Sequence, residues 1–568
     1  MVKKSKYSHL SREQLEAKLE KLEQTRHYGL VWEDKEEDVA KQCEVELPVL
    51  EEDTSREILK DASKNYNFII EGDNYHSLYT LNFTHKKKID VIYIDPPYNT
   101  GNRSWKYNND YIDKEDSYRH SKWLSFMSKR LRLSRQLLSN NGILICAIDD
   151  YEFAGLKLLL DDIFGEQNRL GTLVVVHNPR GRNDDKFFAS QHEYLLVYAK
   201  NSCSAIVNDF SLDEIDKSQY SKEDNISAYA ETSFIRTGNN SKREERPNLY
   251  YPIYYNESEQ KLSLTRHNNQ WEELLPINNK GEERCWRWGK ETFMELSETE
   301  LFVKKIKGVS RIYKKRRLKD HTGKRPKTIW NSSKYDASSN GIILLQKIFK
   351  KNNTFNYPKS LFAVQDILEI TSNKNSIVLD FFAGSGTTAH AVLELNKKDK
   401  GNRQFILCTN NESNICEEVT YPRVQKVING YSDQEGIPAN VKYFKQTFVP
   451  TVTSDQGKRE LVNRSTELLC MAENTFESVM KRSKKDDFAI FKSSTQQTVI
   501  IYDEECIDKC VSRINEMQTN LKTIIYTFSY DHTYEVEDFE NLRVDFVVKP
   551  IPEAILNTYR KISKMRKK

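Results

Sequence analysis

The chain has 568 residues, with 87 Lys and Arg against 83 Asp and Glu, a formal net charge of +4. Its 38% hydrophobic content is enough for a core, which excludes a disordered chain, and 20 glycines and 14 prolines exclude a collagen-like or proline-rich repeat. No apolar run approaches the roughly 18 residues of a membrane span. The start, MVKKSKYSHLSREQ, lacks the apolar stretch of a secretory signal, and nine cysteines without a C-x2-C pair predict free thiols in a reducing cytoplasm, with no disulfide framework and no metal site.

In chain order, Ser11 and Gln14 form a capping box for a helix whose Leu15, Leu19 and Leu22 make a narrow apolar stripe. From Glu33 to Asp53 ten acids and two lysines predict a linker or exposed arm. Residues 66–100 read as a strand (NFIIEGD), a helix (NYHSLYTLN) and a short buried strand (IDVIYID) that runs into PPYNTG. A strand apolar on both faces that ends in a Pro/Gly loop suits a parallel α/β sheet. An amphipathic stretch with Trp123, Leu124, Met127, Leu131 and Leu138 follows, with Asn140-Asn141-Gly142 as its stop, then strands at GILICAID, LGTLVVVH and EYLLVYAK.

From about 201 to 345 this rhythm disappears into a polar, tyrosine-rich, basic region that looks like a module inserted in an α/β domain. It returns at NSIVLDFFAGSGTTAHAVLELN and RQFILCTN, and the tail after about 450 is lysine-rich and mixed. The insert holds the densest charge: Lys304 to Lys327 carries twelve basic residues and one acid. A solvated loop or helix face shows such a run too. Here Tyr313 and Trp330 lie in or beside it, and Trp286 and Trp288 lie just upstream. Basic groups for phosphates beside aromatics for bases are what nucleic-acid binding requires. The candidate contacts are Lys304, Lys305, Arg311, Lys314, Lys315, Arg316, Arg317, Lys324 and Arg325, with Arg180 and Arg182 of HNPRGR as groove-lining additions.

Two loops carry the chemistry. DFFAGSGTTA (380–389) follows a strand and opens a helix, and Gly384 and Gly386 permit a tight turn and close approach of a nucleotide-like cofactor. By itself this loop leaves NAD, FAD or S-adenosylmethionine open. Asp95-Pro96-Pro97-Tyr98 also follows a strand. Its prolines stiffen the turn and donate no hydrogen bonds, so the loop offers the Asp95 carboxylate and the Pro96 carbonyl as acceptors beside an aromatic face. That set suits a flat heterocycle with an exocyclic amine.

The pair DPPYNTG (95–101) and DFFAGSGTT (380–388), in that order, resembles the β-class amino-methyltransferases acting on DNA. The segments GLVWE (29–33), IDPPYNTGN (94–102) and GNRQFILCTNNES (401–413) are similar more narrowly to the Mod subunits of Type III restriction-modification systems. The resemblance implies a Rossmann-like α/β methyltransferase domain with a mostly parallel sheet in permuted β-class order, an inserted target-recognition domain and a C-terminal domain. The expected boundaries are 1–55 for an N-terminal helix and acidic arm, 56–200 and 346–445 for the two parts of the catalytic domain, 201–345 for the insert and 446–568 for the C-terminal domain. It implies S-adenosylmethionine as cofactor, held by Asp380, Phe382, Ala383, Gly384, Gly386, Thr387 and Lys359, with Asn410 or Glu412 on its ribose, and Asp95, Pro96, Pro97 and Tyr98 as the catalytic loop. Double-stranded DNA as substrate, adenine N6 as target, a homodimer, a separate restriction subunit and a bacterial cytoplasmic location follow as expectations. The alternatives are a stand-alone or Type II amino-methyltransferase (adenine N6 or cytosine N4), an RNA or protein methyltransferase, a DNA-binding module without activity, and an NAD-dependent oxidoreductase that would leave the DPPY loop unexplained.

Overall fold

The computed structural model describes residues 11–16, 30, 32–61, 63–108, 110–181, 186–212, 214–320, 323–352, 355–531 and 533–566. Most of the predicted leucine-stripe helix, Gly29 and Val31 of GLVWE, and Arg182 lie outside the described residues. The chain divides into two compact units, one of Met1–Asn208 with Lys327–Lys568 and one of Asp209–Pro326.

The first unit is built on a ten-stranded sheet. Its strands in chain order are β1 (Glu46–Glu52), β2 (Tyr66–Glu71), β3 (Ile89–Ile94), β4 (Leu138–Ile148), β5 (Arg169–Val176), β6 (His192–Ala199), β7 (Ile329–Trp330), β8 (Ile377–Asp380), β9 (Gln404–Thr409) and β10 (Asn440–Pro450). The spatial order is β1-β10-β2-β9-β8-β3-β4-β6-β5-β7. From β10 to β4 six neighbouring strands are parallel, while β1 and β6 run against them. The α/β expectation therefore holds. Ile89, Val91, Ile92 and Ile94 on β3 are all completely buried, as a central parallel strand covered on both faces requires.

Helices α1 (Asp38–Val45), α2 (Asn74–Thr84), α3 (Arg119–Leu137), α4 (Phe153–Phe164), α5 (Leu361–Thr371), α6 (Thr387–Asp399) and α7 (Tyr421–Asn429) complete the layers. After β3 the chain crosses through α3 to β4, on one side of it, whereas after β8 it crosses through α6 to β9, on the other side. With right-handed crossovers these two helices cover opposite faces, and a crevice opens between the carboxyl ends of β3 and β8. Asp95 and the glycine loop stand at those two ends.

Three expectations are corrected. The acidic stretch 33–53 is no exposed arm: it forms α1 and β1, which pairs with β10 and buries Leu47, Val49 and Leu50. Asn140-Asn141-Gly142 does not merely stop a helix, since α3 ends at Leu137 and these residues already belong to β4. The segment 446–568 is no separate body. It carries a five-stranded sheet and a last helix Glu553–Arg566, but it shares the core of the first unit: the Tyr79 hydroxyl donates to the Tyr559 carbonyl at 3.1 Å, and the Tyr559 hydroxyl donates to the Pro48 carbonyl at 2.8 Å. No helix among the described residues is long and apolar enough to cross a membrane.

The second unit, narrower than the expected 201–345 because Trp330 already pairs into the main sheet through β7, is mostly β. A four-stranded sheet includes the hairpin Leu301–Ile306 and Val309–Arg317, closed by Lys307 and Gly308 with φ of 49° and 82°. Two successive positive φ values match the twist of a two-residue hairpin. Phe234, Tyr251, Ile253, Trp286, Phe293 and Ile312 form its core.

Candidate active site

The catalytic loop is pinned from behind by Asn99, which is fully buried and has φ +57°. Its amide donates to Glu152 at 2.5 Å and to the Arg119 carbonyl at 3.3 Å, and its oxygen accepts from the Trp105 indole at 3.0 Å. Asparagine tolerates the left-handed region better than other residues with a Cβ, so one side chain both turns the loop and ties it to α3 and to the turn before α4. The Trp123 indole donates to the Pro97 carbonyl at 2.7 Å. None of the described groups donates to the Pro96 carbonyl; Pro96 is buried and is not among the residues lining the cavity, which Asp95 and Pro97 on either side of it do line.

Asp95 is flanked by an ion cluster drawn from distant segments. The Lys359 ammonium lies 3.1 Å from the Asp95 carboxylate and also donates to Glu193 and to the Tyr98 hydroxyl. That hydroxyl in turn donates to Glu193 at 3.0 Å, and His177 lies 4.0 Å from the same carboxylate. Burial pushes the Asp95 carboxyl above its ordinary range, and Glu193 adds to the rise while Lys359 opposes it. For Glu193, burial works in the same upward direction, but Lys359 and His177 outweigh it and hold the group below its ordinary value. Lys359 is shifted up because Asp95 and Glu193 outweigh its desolvation. The cluster is thus two carboxylates sharing one cation.

The glycine loop is held from below. Asp380, 3% exposed, accepts from the Phe382 amide at 2.9 Å and from the Thr388 hydroxyl at 2.5 Å. Burial raises its carboxyl to about 7 despite these donors. The fully buried Arg423 donates to the Ser385 carbonyl at 3.2 Å and to the Thr387 hydroxyl at 2.8 Å, and the Thr420 hydroxyl donates to the Gly384 carbonyl at 2.6 Å. Gly384 and Gly386 have φ of +47° and +75°, conformations in which a side chain is strained. The Asn74 amide donates to the Phe381 carbonyl at 3.0 Å and so fixes the loop to the start of α2.

Both loops open on one cavity of about 610 Å³. Asp95 and Pro97 contribute from one side, Phe381, Phe382 and Gly384 from the other, and Asn410 and Glu412 close the end beyond β9. Glu37, Asp38, Asp73, Asp95 and Glu412 place five carboxylates on the wall, against Lys106 and Arg130, and Trp105 and Phe126 add aromatic surface. Much of the positive charge is already paired: Arg130, without exposure, binds Glu37 at 2.8 Å and Asp73 at 3.2 Å, and Lys106 binds Glu412 at 2.7 Å. One Glu37 oxygen is buried without a hydrogen-bond partner. An acidic, aromatic cavity of this size fits a cofactor with a sulfonium, an ammonium and an adenine. It is poorly suited to the pyrophosphate of NAD or FAD, which would face those carboxylates.

Of the residues expected at the cofactor, Phe382, Gly384, Asn410 and Glu412 line the cavity. Asp380, Ala383, Gly386 and Thr387 are absent from its wall and nearly buried within the loop. Lys359, also expected at the cofactor, contacts Asp95, Glu193 and Tyr98 and is not among the residues lining the cavity. Glu37, Asp73, Trp105, Lys106 and Arg130 were not legible as cavity residues. Arg130 sits on the otherwise apolar face of α3, where the only signal was a cation in a buried register.

The expected DNA contacts fare unevenly. Arg317 is 2% exposed and bound to Asp224 at 2.8 Å and to Glu300 at 2.7 Å, so it holds the second unit together and does not face solvent. Lys315 binds Asp224 at 2.7 Å, Lys305 binds Glu257 at 2.5 Å, Lys324 binds Asp216 at 3.3 Å, and Lys304 pairs with Glu231. Arg311 donates to Asn279, and Lys314 lies over the Trp288 ring at 4.7 Å. Arg316 and Arg325 are exposed in this unit, as is Arg180 on the loop after β5 in the first. Trp286 and Trp330 are buried, stacked on Phe234 and Tyr335, and present no free face.

A profile described as DNA methylase, of N6 and N4 type, matches residues 89–276 and 254–420, more than half of the chain and both loops. The Type II methyltransferase M.KpnI of Klebsiella pneumoniae is 39% identical over 360 residues, which are 62% of this chain and 82% of that protein. The Mod subunit of the Type III restriction-modification enzyme EcoPI, from Escherichia phage P1, is 34% identical over 394 residues, 64% of this chain and 60% of that protein. The StyLTI Mod subunit of Salmonella typhimurium is 28% identical over 478 residues, 76% of this chain and 69% of that protein. The chain belongs to the DNA methylase family.

Proposed function

We propose that the chain transfers a methyl group from S-adenosylmethionine to the N6 amine of adenine in a specific DNA sequence, as the modification and specificity subunit of a Type III restriction-modification system. The observation that carries the reading is the single cavity shared by Asp95 and Gly384. The bound cofactor supplies an electrophilic methyl on a cationic sulfonium, and the acidic wall suits that charge.

The chain's own residues do the rest by placement. An exocyclic amine is a poor nucleophile while its lone pair is delocalised into the ring. Hydrogen bonds from that amine to the Asp95 carboxylate and the Pro96 carbonyl would localise the pair and aim it at the cavity. A positioned amine needs little general-base help, because its proton becomes acidic as the methyl arrives. Tyr98, its hydroxyl held by Glu193 and Lys359, offers its ring to a base that has left the duplex. The Mod assignment is supported by the similarity to the EcoPI and StyLTI Mod subunits. It implies a separate restriction subunit and a cytoplasmic site of action, with the second unit as the target-recognition domain. A homodimer remains part of the proposal. The similarity to M.KpnI supports a second reading, a stand-alone Type II enzyme.

Incubation with labelled S-adenosylmethionine and either bacterial DNA or RNA tests the reading. Label is expected on DNA, lost in Asp95→Ala while cofactor binding persists. Label on RNA alone, or equal activity in the variant, would overturn it. Copurification of an ATP-dependent nuclease subunit from the source cells separates the Type III reading from the stand-alone one.

A further inference from the structure

We propose that Lys359 is a positioning residue for methyl transfer: its ammonium keeps Asp95 an acceptor and, together with Glu193, locks the Tyr98 phenol, so that the cluster carries one net negative charge where the base amine becomes cationic. The inference rests on the methyltransferase reading and adds a residue to it.

The geometry places Lys359 among these three side chains, 13% exposed, 3.1 Å from Asp95 and within hydrogen-bonding contact of Glu193 and Tyr98, off the cofactor cavity. A protonated Asp95 would donate a hydrogen bond and meet the amine donor to donor. A neighbouring cation prevents that by favouring the ionised form. Lys359 alone would cancel the charge of Asp95. Glu193 offsets that cancellation: Asp95, Glu193 and Lys359 by themselves sum to one negative charge, and His177 lies 4.0 Å away against Glu193, not against Asp95. In the transfer the amine lone pair forms the new N–C bond, the C–S electron pair returns to sulfur, and the nitrogen becomes positive. That nitrogen then loses a proton to Asp95, which passes it to water. A net negative cluster stabilises the positive nitrogen as it forms, and a cluster without Glu193 would not.

The groups facing Asp95 are Lys359 and Glu193, Tyr98 on its own loop, Tyr93 on β3, Cys146 on β4 and Asp380 at the end of β8, with His177 facing Glu193. Burial pushes Tyr93, Tyr98 and Cys146 well above their ordinary values, so they stay neutral in the assay range. Asp380, raised by burial to about 7, titrates in every variant and cancels in a comparison between them.

The test is the pH profile of the single-turnover rate at saturating cofactor and DNA for wild type, Lys359→Met, Lys359→Arg and Glu193→Gln, with the Kd for S-adenosylmethionine measured by calorimetry on the same preparations. Lys359→Met is expected to lose about 100-fold in rate at neutral pH, with its acid limb moved up by about one unit or more and partial recovery at alkaline pH. Its cofactor Kd should stay within about twofold. Lys359→Arg, which keeps the charge, should return the limb toward wild type. Glu193→Gln removes the opposing carboxylate and should move the limb down, which keeps the idea testable if Lys359→Met does not fold. A tenfold weaker cofactor Kd with unchanged saturated rate would make Lys359 a cofactor ligand and overturn the proposal. A uniform loss with unmoved acid limbs in both series would overturn it too. Wild type inactive on DNA at every pH would instead remove the underlying methyltransferase reading.

Discussion

Replacing Asn99 by alanine should cost the catalytic loop its anchor. The side chain donates to Glu152 at 2.5 Å, accepts from Trp105 at 3.0 Å and is fully buried. A hydrogen bond to a charged group contributes about 1.5–3 kcal/mol, and the stranded Trp105 indole adds about 1–3 kcal/mol of unmet desolvation. Alanine at φ +57° adds about 1–2 kcal/mol. The expected loss is about 3.5–8 kcal/mol, read from urea unfolding followed by tryptophan fluorescence. Asn99→Gly breaks the same bonds without the backbone strain, so it should be about 1 kcal/mol less damaging. Both variants free the loop, and a displacement of about 1 Å at the reacting groups costs about 100-fold in rate. A loss below about 1 kcal/mol for alanine, or glycine no better than alanine, would refute this account of how the loop is held.

Asp380 has a folded pKa raised from 3.8 to about 7 by burial. Its contribution to stability is therefore complete below about pH 4 and lost as pH rises through 7, to a total of about 4 kcal/mol. The stability of wild type relative to Asp380→Asn should fall over that window by an amount of this order, and a pH-independent difference would contradict the assignment. Gly386→Ala places a Cβ at φ +75°, 3.4 Å from the Thr420 carbonyl oxygen. It should weaken S-adenosylmethionine binding by about tenfold for each 1.4 kcal/mol of strain, as measured by calorimetry, and an unchanged Kd would show that the glycine turn does not seat the cofactor. In the second unit, reversing the exposed Arg316 and Arg325 should lower DNA affinity and reduce its salt slope by about one for each lost phosphate contact. Arg317→Ala should instead lower the stability of that unit, because it removes the cation from Glu300 and leaves Asp224 with Lys315 alone. An unchanged salt slope in the first pair returns the run to a solvated surface.

The two chemical loops were legible because each is a short run at the end of a buried strand, where local residue types decide the geometry. The βα rhythm around them was legible for the same reason, since hydrophobic strands such as IDVIYID and SIVLD are local signals. What escaped was assembled from a distance. Glu193 and Lys359 reach Asp95 from segments 98 and 264 residues further along the chain, and nothing in the residues beside them, His192 and Tyr194 or Tyr357 and Pro358, marks a shared partner. Lys304, Lys315 and Arg317 looked like phosphate contacts because their acids, Glu231 and Asp224, lie on a strand and turn about 70–90 residues upstream, across the sheet. The acidic count at 33–53 concealed ELPVLEE, an edge strand whose apolar centre is buried beneath charged ends.

The central claim is that Asp95 and the glycine loop serve one base and one cofactor in a shared site. Nucleoside mass spectrometry of DNA from cells expressing the chain, read beside Asp95→Ala with calorimetric cofactor binding on the same variant, tests it most directly. N6-methyladenine is expected with the wild-type chain, none with the variant, and an S-adenosylmethionine Kd unchanged within about twofold. Persistent N6-methyladenine in Asp95→Ala, or a cofactor site that fails together with Asp95, would contradict it.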